Sequence, residues 1–190
     1  MIRIGILGDI GAGKSFVAKN FGYPIFNADQ EVAKLYKSNK GIFNKLKKKL
    51  PKFIHSFPID KKEITNAILT NKKNLDIIIK IIHLEIQKKL NIFLKENRKE
   101  EIIILDIPLL LENKINGKKD ILIFVDSKKT QILKRLKKRK NFNEILLKKF
   151  KNIQLPISYK KKKSQFIIRN DFTKKTVINR IKNILKKLQK

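Results

Sequence analysis

The sequence has no cysteine and no tryptophan, and only one methionine and two histidines, in 190 residues. Without cysteine there is no disulfide framework and no thiolate metal site, which removes the class of small cross-linked secreted domains. His55 and His83 alone do not make a zinc site. No apolar run approaches the roughly 18 residues that a membrane-spanning helix needs, so no membrane segment is expected. The first residues enter a strand-like run without a basic segment and long apolar core before it, so no secretory signal is expected and the cytoplasm is the default location. Acidic residues are scarce as well: 16 against 47 basic ones, a formal net charge of +31.

Arginine is scarcer than that charge suggests. Six of the basic residues are arginine (Arg3, Arg98, Arg135, Arg139, Arg169 and Arg180) and the rest are lysine. Arginine is the residue suited to bidentate recognition of phosphates and bases. A chain rich in Lys, Ile and Asn, with its lysines spread over helix faces, fits compositional drift, as in an AT-rich genome, better than a nucleic-acid surface. Anionic small molecules are attracted either way. The expected partner is a small molecule, with no nucleic acid and no membrane, and the expected state is a monomer. The length suits one domain with a full core and a small helical subdomain or lid.

What is present is concentrated at the start, MIRIGILGDIGAGKSFVAKNF. Ile2 to Leu7 reads as a buried strand. Gly8-Asp9-Ile10-Gly11-Ala12-Gly13-Lys14-Ser15 fits G-x-x-x-x-G-K-[ST], and Phe16, Val17, Ala18 and Phe21 give the buried side of a helix. Strand, glycine loop and helix are the context that a phosphate-binding loop requires. Glycines let the backbone bend close around an anion. Successive N–H groups then form a nest, and the helix adds its positive end. Lys14 can reach β and γ phosphates, and the Ser15 hydroxyl can ligate Mg²⁺.

Further along, strands and helices alternate. Tyr23 to Asp29 reads as a short strand, followed by a helix through Glu31, Ala33, Leu35 and Tyr36 that Gly41 breaks. Ile42 to Leu50 reads as a short helix ended by Pro51. Asp60, with Glu63 three residues on, is expected to cap a helix to about Leu69. Ile78, Ile82, Ile86, Leu90 and Phe93 predict one long amphipathic helix over Asn74 to Lys95. Glu101 to Asp106 and Asp120 to Asp126 are apolar-centred strands of the parallel type. Pro108 can open a helix, Ser127 can cap one, and Asn141 to Asn152 is expected to be helical. Lys160 to Lys163 reads as a short charged segment. Gln165 to Ile168 is a last strand, and Thr173 starts the terminal helix. The pattern predicts an α/β fold with a parallel sheet.

A glycine loop of this kind serves GTP switches and small-molecule kinases alike. Asn71-Lys72-Lys73-Asn74 lacks the Asp of a base-reading Asn-Lys-x-Asp motif, and Asp106 is not followed by x-x-Gly. The class that remains is similar to the nucleoside-monophosphate kinases. Within it, the residues resemble the dephospho-CoA kinase family along nearly the whole chain. GILGDIGAGKS resembles that family's glycine loop, PIFNAD its second strand ending in Asp-Ala-Asp, and IIHLEI its Leu-His-Pro-x-Ile segment. LDIPLLLE is similar to its Asp-x-Pro-Leu-Leu-x-Glu stretch, RLKKR to its Arg-Leu-x-x-Arg, and Gln154 and FIIRND to its late Gln and final strand. The sequence departs from the family pattern at Asn27 (usually Asp), Leu84 (Pro), and Gln87 and Lys149 (Arg).

The resemblance implies a P-loop three-layer sandwich with a parallel five-stranded sheet. It implies a core of about residues 1–54 and 101–190, a helical acceptor subdomain of about 55–100 and a lid of about 139–156. It implies an enzyme that uses ATP and Mg²⁺ to phosphorylate the ribose 3′-hydroxyl of dephospho-CoA. ATP would be held by Gly8, Gly11, Ala12, Gly13, Lys14, Ser15, Phe16 and Arg135. The acceptor would be held by Asp29, His83, Pro108 and Leu109, and the metal by Ser15 and Asp106. Lys14, Asp29 and Arg139 would carry the chemistry, Asp29 as proton acceptor and Arg139 as lid cation. Blander readings stand beside these. Asp29 and Asp106 can be a helix cap and a turn residue. His83 on its apolar face can be a core histidine, and the arginines can be solvated. Another P-loop kinase, a basic nucleic-acid-binding ATPase and a loop that binds nucleotide without catalysis remain the alternative functions.

Overall fold

The computed structural model describes residues 1–140 and 142–188. In chain order the elements are β1 (Ile2–Gly8), α1 (Lys14–Lys19), β2 (Ile25–Asn27), α2 (Ala28–Ser38), α3 (Lys40–Lys49), α4 (Lys61–Thr70) and α5 (Lys72–Glu96). They continue with β3 (Ile102–Asp106), β4 (Ile121–Asp126), α6 (Lys129–Lys137), α7 (Glu144–Asn152), α8 (Ile157–Lys163), β5 (Phe166–Arg169) and α9 (Lys174–Leu188). The chain divides into two compact units.

The first unit comprises Met1–Asn27, Asn97–Phe142 and Ile153–Lys190. It holds the sheet, in the order β2-β3-β1-β4-β5. All four strand pairs are parallel. The apolar runs predict this: Ile103, Ile104 and Leu105 of β3 and Ile123 and Val125 of β4 are fully buried, as strands covered on both faces must be. Gly5 has a packing reason. A Cβ there would lie 2.5 Å from Leu110 Cδ2, so the loop after β3 presses directly on β1. After β1 the chain moves toward β2, and after β3 it moves the other way to β4. The carboxyl ends of these two neighbours therefore flank a switch point, where open α/β sheets put their sites.

The second unit comprises Ala28–Glu96 and Asn143–Asn152 and is helical. Its spine is α5, against which α2, α3 and α4 pack. The predicted periodicity is real: Ile78, Ile82, Ile86 and Leu90 are buried, while Phe93 is only partly covered. Asp60 caps α4 by accepting from the Lys62 N–H at 2.9 Å. Glu63 does not close a capping box with it. Its Oε1 instead accepts from the amides of His55 and Ser56 at 3.3 and 3.1 Å.

Several boundaries differ from the sequence reading, each for a local reason. The strand expected over Tyr23–Asp29 is only Ile25–Asn27, so Asp29 lies in the first turn of α2, where an acidic side chain suits the helix dipole. Gly41 sits inside α3; the break is at Asn39, whose side chain caps that helix through the Ile42 N–H at 2.9 Å. Pro108 opens turns rather than a helix, and they close at Lys114 in the left-handed conformation (φ 52°). Ser127 does not cap α6, whose N-cap is Lys128 without a side-chain bond. The segment expected over Asn141 to Asn152 is helical from Glu144; Asn141 lies outside the described residues. Lys160 to Lys163 is not a free charged segment but the last turn of α8.

Candidate active site

The glycine loop joins β1 to α1. Gly13 is the N-cap of α1 in the left-handed region (φ 90°). A Cβ there would fall 2.4 Å from Asn170 Nδ2 and 3.0 Å from the Phe172 ring. Gly11 (φ 83°) is closed in likewise, with Leu136 Cγ 2.9 Å from where a Cβ would be. Glycine is therefore required at both positions by backbone conformation and by space.

The loop is held from behind. The Ala12 carbonyl accepts from Ser127 Oγ at 2.9 Å and from Asn170 Nδ2 at 2.8 Å. A trans peptide points its C=O and the next N–H in opposite directions. Fixing the Ala12 carbonyl toward Ser127 and Asn170 therefore turns the Gly13 N–H the other way, as an anion nest requires. Lys14 Nζ lies across the loop, donating to the carbonyls of Gly8 and Asp9 at 3.3 and 3.0 Å. Ser15 follows in the first turn of α1 and is exposed, and the Phe16 carbonyl accepts from Asn20 Nδ2 at 2.7 Å.

At the end of β3, Asp106 is 3 % exposed. Its Oδ2 accepts from Asn27 Nδ2 at 2.6 Å. Pro108 and Leu109 follow in the turns beyond it, both partly covered. Arg135 is on α6, its guanidinium 4.1 Å from the centroid of the Phe172 ring. Arg139 does not share that helix face as its spacing suggests. It lies past the last residue of α6, where its N–H bonds the Leu136 carbonyl at 3.0 Å, and it is exposed. In the helical unit, Asp29 is on the first turn of α2 and His83 is half-buried on α5.

Sequence reasoning misses the loop's supports. It makes Ser127 a helix cap and does not single out Asn170 or Phe172. Phe172 is at φ 66°, an uncommon conformation for an aromatic residue. Phe172 N–H in turn donates to Asn170 Oδ1 at 2.9 Å. The FIIRND stretch is the one available signal, as part of the family resemblance. A second missed group is Lys160, with a side chain 2 % exposed, paired with Glu112 at 2.7 Å.

A five-stranded parallel sheet of this order, with a lysine-bearing glycine loop leaving its central strand, defines a P-loop nucleotide-binding fold. Within that class the chain belongs to the dephospho-CoA kinase family, whose description, CoaE: Dephospho-CoA kinase, matches residues 2–176. It is 33 % identical over 190 residues to the dephospho-CoA kinase of Wolbachia sp. subsp. Brugia malayi (strain TRS), with 97 % of each chain covered. The crystal structure of TT1252 from Thermus thermophilus matches with a TM-score of 0.76 at 25 % identity, covering 98 % of this chain and 97 % of that one. Dephospho-CoA kinase from Campylobacter jejuni shares the fold, with a TM-score of 0.63 at 21 % identity over 98 % of this chain and 96 % of that one. The family resemblance of the residue pattern is thereby confirmed. Use of ATP is expected of this family. Among the described residues, no helix is long and apolar enough to cross a membrane.

Proposed function

We propose that the protein transfers the γ-phosphoryl group of ATP to the ribose 3′-hydroxyl of dephospho-CoA, releasing CoA and ADP. The observation that carries this reading is the glycine loop, with its supports from Ser127 and Asn170, in a chain matched by the family over residues 2–176.

Phosphoryl transfer needs alignment and charge neutralisation more than covalent chemistry. Gly8, Gly11, Ala12 and Gly13 would cradle the phosphates, and the Lys14 ammonium would exchange its carbonyl partners for β and γ oxygens. Arg135 would lie on the base side and Phe16 near the nucleotide. Arg139 would meet the transferred group from the lid, about residues 139–156. Asp29 would accept the proton of the 3′-hydroxyl, and His83, Pro108 and Leu109 would line the acceptor site.

The residues also fit Mg²⁺. The Ser15 hydroxyl and the buried Asp106 carboxylate are hard oxygen donors, as this ion demands. Among the described residues there is no cluster of three His, Cys, Asp or Glu. A Mg²⁺ held through phosphates and water needs none. When bound, it would neutralise phosphate charge. The enzyme would work in the cytoplasm as a monomer.

The test is product analysis and one variant. Phosphorus NMR of the product should show a new phosphomonoester on the ribose 3′ position. Asp29→Asn should lower kcat by about 10² to 10⁴-fold, the usual range for a lost general base, with the KM for ATP unchanged. Wild-type turnover in Asp29→Asn would remove the base role while leaving the reaction.

A further inference from the structure

The chain leaves the sheet unit after Phe142, builds α7 in the helical unit, and returns at Ile153. The first residues after the return are fastened by a buried polar cluster. Glu112 Oε1, in the turns after β3, accepts from the Leu155 N–H at 3.0 Å and lies 2.7 Å from Lys160 Nζ. The same ammonium donates to Gln154 Oε1 at 3.1 Å. The Glu112 and Lys160 side chains are 8 % and 2 % exposed. The next lysine clips α8 on the other side: Lys161 Nζ lies 3.1 Å from Asp126 Oδ2, at the end of β4.

Stability alone accounts poorly for this cluster. Burying both charges costs solvation that their attraction seldom repays in full, and apolar replacement of such pairs is often neutral or stabilising. The cluster is also only half satisfied. Two of its three bonds meet on one carboxylate oxygen, and Glu112 Oε2 is buried without a hydrogen-bond partner among the described residues. What the arrangement does supply is one fixed position for Gln154 and Leu155, since a buried ion pair has few alternative geometries. At the first crossing, the last residue of β2 is tied to the end of β3, Asn27 Nδ2 donating to Asp106 Oδ2 at 2.6 Å.

We infer that Glu112, Lys160 and Gln154 are positioning residues: they fix the segment at which the chain re-enters the sheet unit after α7, the C-terminal end of the proposed lid, and phosphoryl transfer depends on that fixed re-entry. This rests on the proposed lid over residues 139–156, and on nothing else in the proposed reaction.

The test uses the full-length protein with both partners made apolar, Glu112→Leu with Lys160→Met, and with Lys160→Arg, which keeps the charge. The melting temperature of the double variant should stay within a few degrees of wild type. Its amides over residues 143–156 should exchange with deuterium about tenfold faster, those of β1, β3 and β4 remaining unchanged. The kcat with dephospho-CoA should fall at least tenfold while the KM for ATP changes less than about threefold, and Lys160→Arg should recover most of the loss. A stable double variant with wild-type exchange over 143–156 would overturn the inference, as would wild-type kcat. Should the double variant not fold, Lys160→Gln, which removes the charge and keeps a polar side chain, takes its place: faster exchange with lowered kcat supports the inference, and wild-type values of either overturn it. If wild type itself fails to phosphorylate dephospho-CoA, the proposed function falls while the exchange comparison still decides the anchor.

Discussion

The Asn27 amide donates to the Asp106 carboxylate at 2.6 Å, joining residues that are register partners at the carboxyl ends of β2 and β3. A neutral amide meets the buried carboxylate without setting a second negative charge beside it. An Asp at position 27, as the family pattern has, would set two carboxylates within hydrogen-bond reach, and they would share a proton unless a cation separates them. Asn27→Asp is therefore expected to move the acid limb of kcat/KM toward higher pH. Rate profiles from pH 5 to 9 measure this, and an unmoved acid limb would contradict it.

The Ala12 carbonyl is the second place where one substitution is informative. Asn170 is 3 % exposed and supplies one of its two side-chain donors. Asn170→Ala removes a buried hydrogen bond, a loss of roughly 1–3 kcal/mol, and frees the peptide that aims the Gly13 N–H. The KM for ATP should rise about tenfold. Ser127→Ala removes the other donor and should give a smaller rise. Nucleotide titration by calorimetry separates this loss of affinity from a loss of folding, read from the melting temperature.

Arg135 and Arg139 should divide their effects. Arg135 is stacked on Phe172, so Arg135→Ala should act mainly on the KM for ATP. Arg139 lies beyond the end of α6, and in its proposed role as lid cation it should act on kcat, by about 10³-fold or more for Arg139→Ala. Steady-state kinetics of the two variants test the split; equal effects on both constants from each residue would contradict it.

The start of α9 carries a pH dependence of its own. The Thr173 N–H and hydroxyl and the Thr176 hydroxyl all donate to Asp171, holding its carboxyl below the ordinary value of 3.8. A depressed carboxylate adds stability that is present above its unfolded value and lost as pH falls through the folded one. Asp171→Asn should therefore melt at a lower temperature than wild type at pH 7, with the gap closing below about pH 4. Scanning calorimetry at pH 7, 5 and 3 checks the sign.

The sequence is most legible where local chemistry and tertiary structure agree. Glycine spacing locates the loop, apolar runs locate β3 and β4, and Ile78, Ile82, Ile86 and Leu90 mark the buried face of α5. It is least legible where distant partners decide. Nothing local tells which of four successive lysines turns inward; Lys160 does so because Glu112, far away in the chain, waits for it. Ser127 has the sequence position of a helix cap, yet its hydroxyl bonds the Ala12 carbonyl in preference. Asp29 reads as a strand end because Tyr23 to Asn27 looks uniformly extended, whereas only three residues pair with β3.

The most direct measurement is ADP release from Mg·ATP at moderate salt with dephospho-CoA, AMP, dTMP, shikimate or RNA offered separately. Turnover with dephospho-CoA alone, with CoA as the product, is the predicted result. Turnover with another acceptor and none with dephospho-CoA would contradict the account, even though the glycine loop would still explain the nucleotide.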